Sequence, residues 1–210
     1  MNSTFVQIKL KTRAASGAVL AAGLLWAAAA PALAQKTAAP APAPSAAPAC
    51  PALLNHRFDR LQDEKPQDLC QYAGRVVLVV NTASFCGFTG QYKALEALHS
   101  RLQARGLVVL GFPANDFGRQ EPGSNQAIAD FCENTFGVQF PMFTKTSVVG
   151  AGANPLYRQL AARTGQVPQW NFHKYLIDRN GQTVRSFPSA TEPNDPAFVR
   201  ELEKMIQVKL

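Results

Sequence analysis

The chain has 210 residues and a formal net charge of +7, with 21 Lys and Arg against 14 Asp and Glu. Three of those bases, Lys9, Lys11 and Arg13, precede an apolar stretch, and without them 18 remain against 14 acids, a balance of +4. The bases are scattered and no nucleic-acid signature occurs, so a solvated surface is expected and nucleic acid is not expected as a partner.

In chain order, residues 1–34 have the layout of a secretory signal peptide. A basic start without acids runs into an Ala-rich apolar segment and ends at Ala32-Leu33-Ala34, with cleavage expected before Gln35. The competing reading is an uncleaved anchor helix. Residues 35–49 are almost wholly Ala and Pro, a composition that buries no apolar surface and predicts an extended tether. The remainder, residues 50–210, is the commonest size for one compact domain. The expected location is periplasmic or secreted, where thiols tend to be oxidised, and four cysteines stand at 50, 70, 86 and 132.

Residues 75–81 are a run of β-branched and aliphatic side chains typical of a strand buried on both faces. Tyr92, Leu95, Leu98 and Leu102 recur at helical spacing over 90–105, and Gly106 is a left-handed stop. A second buried strand over 107–112 completes a right-handed crossover unit with a parallel pair. Ser124 caps a helix to about Phe136, with Ile128, Phe131, Cys132 and Phe136 on one face, and residues 140–144 read as a short edge segment. Asn154 and Pro155 open a third helix, residues 172–178 and 183–187 flank a hairpin turn, and Asp195-Pro196 opens a last helix to about Gln207. The order predicts an α/β domain with a mixed sheet of the thioredoxin type, flanked by helices.

Cys86 follows the first central strand and precedes the first helix. Ligands bind beyond the carboxyl ends of such strands, and a helix N-terminus favours negative charge on a nearby sulfur. Position alone leaves open a reactive thiol or a small buried filler.

The text around it decides more. Asn81-Thr82-Ala83-Ser84-Phe85-Cys86-Gly87-Phe88-Thr89 resembles the active-site segment of the glutathione peroxidase family in its cysteine form. Residues 112–125 are similar to that family's second signature, Trp170-Asn171-Phe172 with Lys174 to its third, and Phe131-Cys132 with Phe140-Pro141 to a fourth. The resemblance spans nearly all of residues 50–210.

It implies a catalytic set of Cys86, Gln120, Trp170 and Asn171. The two amides and the indole N–H would donate to the sulfur and to charge developing on the peroxide oxygens. It also implies attack by Cys86 on a hydroperoxide to give a sulfenic acid, with no metal or prosthetic group. Cys132 matches the resolving position of thioredoxin-dependent members, although its periodicity by itself suits core packing. A disulfide requires close Cα atoms, so the helix carrying Cys132 is expected to be mobile. Ala114 and Asp116 depart from the family's usual Cys and Gln. Losing the thiol at 114 removes a competing resolving partner, whereas residue types alone leave Asp116 without a role.

Cys50 and Cys70 lie outside the motifs and suit a structural disulfide; lipid attachment at Cys50 is the weaker reading. The expected reductant is a thioredoxin-like protein or glutathione. The connection between Arg163 and Trp170 lacks room for the long loop that supports tetramers in some members of the family it resembles, so the resemblance implies a monomer or weak dimer. The alternative function, thiol–disulfide exchange on proteins, lacks its usual Cys-x-x-Cys, because residue 89 is Thr. A peroxiredoxin is disfavoured because Thr82 lies four, not three, residues before Cys86.

Overall fold

The computed structural model describes residues 49–208. The signal segment expected over 1–34 and nearly all of the Ala/Pro tether expected over 35–49 lie outside the described residues. No helix among the described residues is long and apolar enough to cross a membrane.

A four-stranded mixed sheet organises the domain. Its order is β4 (Leu107–Pro113), β3 (Val76–Thr82), β5 (Lys174–Ile177) and β6 (Val184–Phe187). β3 pairs parallel with β4, from Val76 opposite Leu107 to Thr82 opposite Pro113, and antiparallel with β5. Every residue of β3 and β4 is buried. The alternation of a strand sends Val76, Leu78 and Val80 into one core and Val77 and Val79 into another.

The first core is closed by α1 (Gln91–Leu102), α2 (Asn125–Phe136) and α4 (Pro196–Gln207) through Leu95, Leu98, Ile128, Phe198 and Leu202. The second is closed by α3 (Pro155–Thr164) through Leu156, Tyr157 and Leu160. Burying each such side chain contributes roughly 1.5–3 kcal/mol, so both faces of the sheet must be covered. This is the α/β, thioredoxin-like arrangement that the pattern predicts.

Helix starts follow the expected chemistry. Ser124 Oγ accepts from the Ala127 amide at 3.2 Å, Asn154 Oδ1 from Tyr157 at 3.0 Å, and Asp195 Oδ1 from Ala197 and Phe198 at 2.8 and 2.9 Å.

Three elements differ from expectation. Residues 140–144 form only isolated bridges, Gly111 to Met142 and Arg60 to Phe143, because Pro141 has no amide to continue a ladder. The strand expected from residue 172 starts at Lys174, since Phe172 has a left-handed backbone at φ 63°. A hairpin of β1 (Arg57–Asp59) and β2 (Pro66–Asp68) precedes the sheet without any periodic signal in the sequence. Cys50 and Cys70 bracket that hairpin and are joined by a disulfide, with S–S 2.01 Å and Cα atoms 5.1 Å apart. The bond leaves no thiol at Cys50 for a lipid.

Candidate active site

The carboxyl end of β3 anchors two separate segments. Asn81 is fully buried; its Nδ2 donates to the Trp170 carbonyl at 3.1 Å, and its own carbonyl accepts the Phe172 amide at 2.6 Å. The turn at residues 170–172 is thereby held against the residues that lead to Cys86.

Residues 83–90 form the loop between β3 and α1. Thr89 closes it: its hydroxyl accepts the Cys86 amide at 2.9 Å and donates to the Ala83 carbonyl at 3.0 Å. Cys86 is half-buried with a free thiol, and the Phe88 amide donates to Sγ at 3.4 Å. The sequence points to the N-terminus of α1 as the sulfur's support. The amide at the sulfur instead comes from the preceding turn, since α1 begins only at Gln91.

Gln120 follows β4 on a loop turned by two consecutive left-handed residues, Gly118 at φ 61° and Arg119 at φ 54°. At Gly118 the positive φ favours glycine, and a Cβ there would make ordinary contact with Gln120 at 3.4 Å and the Trp170 ring at 3.5 Å. The Gln120 carbonyl accepts the Phe85 amide at 3.1 Å, which joins this loop to the residue before Cys86. Asn171 is fully buried and donates from Nδ2 to Gln120 Oε1 at 2.9 Å. Trp170 is 39% exposed, with its ring 5.9 Å from that of Phe117.

The structure therefore pairs Gln120 with Asn171 and sets Trp170 beside the same loop. Among the described residues, however, none of the three donates to Cys86 Sγ. One N–H of the Asn171 amide goes to Gln120 Oε1 and the Asn171 Oδ1 is buried without a partner, while the Gln120 amide N–H groups and the Trp170 indole N–H stay uncommitted. In this structure one backbone N–H reaches the sulfur, with the Gln120–Asn171 amide pair in the neighbouring loop.

Cys132 lies on α2, buried, and its thiol is pushed up to about 11 by burial, with the neighbouring Tyr92 hydroxyl acting against the shift. Cys86 and Cys132 are both free thiols. Their neighbours meet: the rings of Phe85 and Phe131 stack with centroids 6.4 Å apart and planes inclined by 27°. The Cys86 loop thus rests on the helix that carries Cys132.

The sequence reading left Asp116 and Lys174 without a role and did not single out Glu121. Asp116 accepts from Ser147 Oγ at 2.8 Å and the Val148 amide at 2.7 Å, tying the Gln120 loop to the next segment. Glu121 is completely buried, and burial raises its carboxyl above the ordinary range. Lys174 is completely buried within β5. Each was visible as a charged residue in or beside a motif, but the contacts of Asp116 and the burial of Glu121 and Lys174 were not. A cleft of about 530 Å3 opens beside Phe88, lined also by Val167, Gln169, His173 and Pro188. Among the described residues no three His, Cys, Asp or Glu side chains converge to hold a metal ion.

A family model described as glutathione peroxidase matches residues 56–161. The chain is 44% identical over 147 residues to a glutathione peroxidase-like peroxiredoxin of Schizosaccharomyces pombe, covering 67% of this chain and 93% of that one. The chain belongs to the glutathione peroxidase family. It is also 45% identical over 154 residues to a hydroperoxy fatty acid reductase of a Synechocystis strain, covering 69% and 90%. Among solved structures, Trgpx in apo form superimposes with a TM-score of 0.61 at 34% identity, covering 75% of this chain and 96% of that chain. The stretch of this glutathione peroxidase family member matched by the model contains Cys86, Gln120 and Cys132. Trp170 and Asn171 fall beyond it and are joined to it through Asn81 and Gln120.

Proposed function

We propose that this protein is an exported thiol peroxidase in which Cys86 reduces a hydroperoxide. The observation that carries the reading is a free, half-buried cysteine at the carboxyl end of β3, with a backbone N–H at its sulfur and the Gln120–Asn171 amide pair in the adjoining loop. The Cys86 thiolate attacks one peroxide oxygen and the O–O bond breaks. The departing oxygen leaves as water or an alcohol after taking a proton, and the sulfur becomes a sulfenic acid, oxidised by two electrons. The free N–H groups of Gln120 and the Trp170 indole are the donors available to the charge on the oxygens.

Cys132 then resolves the sulfenic acid. Its sulfur bonds to that of Cys86, the S–O bond breaks, and hydroxide leaves as water after protonation. In the packed structure Cys132 is a buried thiol, so α2 must open before this step; the Phe85–Phe131 contact supports the approach of the two segments. A thioredoxin-like protein, or glutathione, reduces the disulfide. Export is supported by the leader pattern and by the Cys50–Cys70 bond, a feature of oxidising compartments.

The cleft beside Phe88 favours an apolar hydroperoxide, a reading that accords with the fatty-acid relative. Thiol–disulfide exchange lacks its Cys-x-x-Cys partner, since Thr89 occupies that place and is engaged in closing the loop.

Peroxide consumption with thioredoxin or glutathione as donor tests the assignment. Cys86→Ser should fall to the uncatalysed background, and Gln120→Ala should lose about 10²-fold, the scale of one donor to a developing oxyanion. Equal rates for wild type and Cys86→Ser would overturn it. One equivalent of peroxide should yield a Cys86–Cys132 disulfide on peptide mapping. A free Cys132 beside overoxidised Cys86 would remove Cys132 from the scheme.

A further inference from the structure

Lys174 stands in β5 between Val80 of β3 and Phe187 of β6, and it is completely buried. An aliphatic side chain would fit such a strand without the cost of burying an ammonium group. The Nζ donates to the Phe172 carbonyl at 2.7 Å and to the Ser189 carbonyl at 3.4 Å. The Ser189 carbonyl also accepts Gln91 Nε2 at 2.8 Å, and Gln91 donates in addition to Glu192 Oε1 at 3.1 Å. Gln91 is the first residue of α1, the helix that follows the Cys86 loop. Phe172, whose carbonyl Lys174 holds, has a left-handed backbone at φ 63°, a conformation rare for a bulky side chain. It directly follows Trp170 and Asn171.

We propose that Lys174 is a positioning residue for peroxide reduction: its ammonium ties the strained turn at residues 170–172 to the start of α1, holding Trp170 and Asn171 in register with the Cys86 loop. This rests on the reading of Cys86 as the peroxide-reducing thiol. Without that tie, relaxing φ at Phe172 would move Asn171 away from Gln120 and Trp170 away from Phe117. Hydrogen bonds from a charged donor are roughly twice as strong as neutral ones, which gives the buried charge its use.

Burial holds Lys174 down at about 7, against the opposing pull of Glu192. Glu192 is the charged group that faces the ammonium. The flanking strands present Val80 and Phe187, α1 presents the neutral Gln91, and the adjacent His173 is held at about 4 by burial and by Lys174, so it is uncharged at neutral pH. As pH rises through about 7 the tie loses its charge and weakens.

The experiment uses the full chain carrying Trp26→Phe, which leaves Trp170 as the sole tryptophan. In this background the parent, Lys174→Met, Glu192→Gln and Cys86→Ser are reduced, and two rates are followed at Cys86: oxidation by hydrogen peroxide and alkylation by iodoacetamide. Alkylation needs the sulfur alone, whereas peroxide reduction also needs the donors in place. Lys174→Met should oxidise at least about tenfold more slowly while alkylating within about twofold of the parent, with a shifted Trp170 emission. Glu192→Gln, a change at an exposed side chain, should move the decline of oxidation with rising pH to lower pH. Oxidation of Lys174→Met at the parent rate, an equal loss of both rates, or an unmoved profile in Glu192→Gln each overturns the proposal. Peroxide consumption by Cys86→Ser at the parent rate would instead strike the functional reading itself.

Discussion

The hydroxyl of Thr89 closes the turn around Cys86 by serving as acceptor and donor at once. Thr89→Val keeps the shape and removes both bonds, so it should cost about 1–3 kcal/mol in urea unfolding and slow peroxide reduction together. An unchanged oxidation rate would assign the lock to stability alone. His173 makes a different prediction. Burial holds its imidazole at about 4, against 6.5 when unfolded, with Nε2 2.7 Å from Ser186 Oγ. The unfolded chain therefore binds a proton that the folded one refuses between pH 6.5 and 4, and stability falls as pH drops through that window. The full loss is about 3 kcal/mol. Urea midpoints measured from pH 7 to 4 should show this slope in wild type and lose it in His173→Phe. Lys174 acts in a higher window: stability rises with pH from about 7 to 10.5 as the buried amine is relieved of its charge.

At the scale of elements, α2 is the piece that must open in the proposed cycle. It is capped by Ser124 at one end and by Gly137 at φ 64° at the other, where the Gly137 amide bonds the Glu133 carbonyl at 2.9 Å and the Val138 amide the Cys132 carbonyl at 3.2 Å. A Cβ at Gly137 meets no atom within 4 Å, so Gly137→Ala is strained through its backbone only, by roughly 1–2 kcal/mol. The last turn of α2 should then exchange its amides faster and form the Cys86–Cys132 bond sooner after oxidation, as read by hydrogen exchange and quenched-flow alkylation. Faster exchange without faster bond formation would mean that opening of α2 does not limit resolution. The limits of α2 were legible because Ser124, Gly137 and the apolar residues between them are local signals. The β1–β2 hairpin was not, because its three-residue strands carry no alternation and exist through pairing and the bracketing disulfide.

For the molecule as a whole, the Cys50–Cys70 bond fastens the N-terminal segment to the residues just ahead of β3, across a separation of 20 residues. Replacing both with Ala should lower stability by about 3 kcal/mol, the chain-entropy value for a loop of that size. For a domain of this length the melting temperature should drop by roughly 6–12 °C. Peroxide reduction by the folded double variant should be unchanged, since neither sulfur belongs to the site. A loss of activity at a temperature where the variant is fully folded would instead connect that bond to the redox cycle.

The sequence by itself determined the order of the four main-sheet strands and the four helices, the family through its four signatures, and the identity of Cys86, Gln120, Trp170, Asn171 and Cys132 as the residues to examine. These follow from periodicity and from motifs whose members are near one another in the chain. Tertiary structure decided which amide reaches the sulfur, that Asn171 donates to Gln120 across 51 residues and Asn81 to Trp170 across 89, and that Cys132, Glu121 and Lys174 are buried. Hydrogen-bond partners and desolvation belong to atoms brought together from distant parts of the chain. No local pattern of residue types carries that information, and it appears only once the sheet and its covering helices have closed.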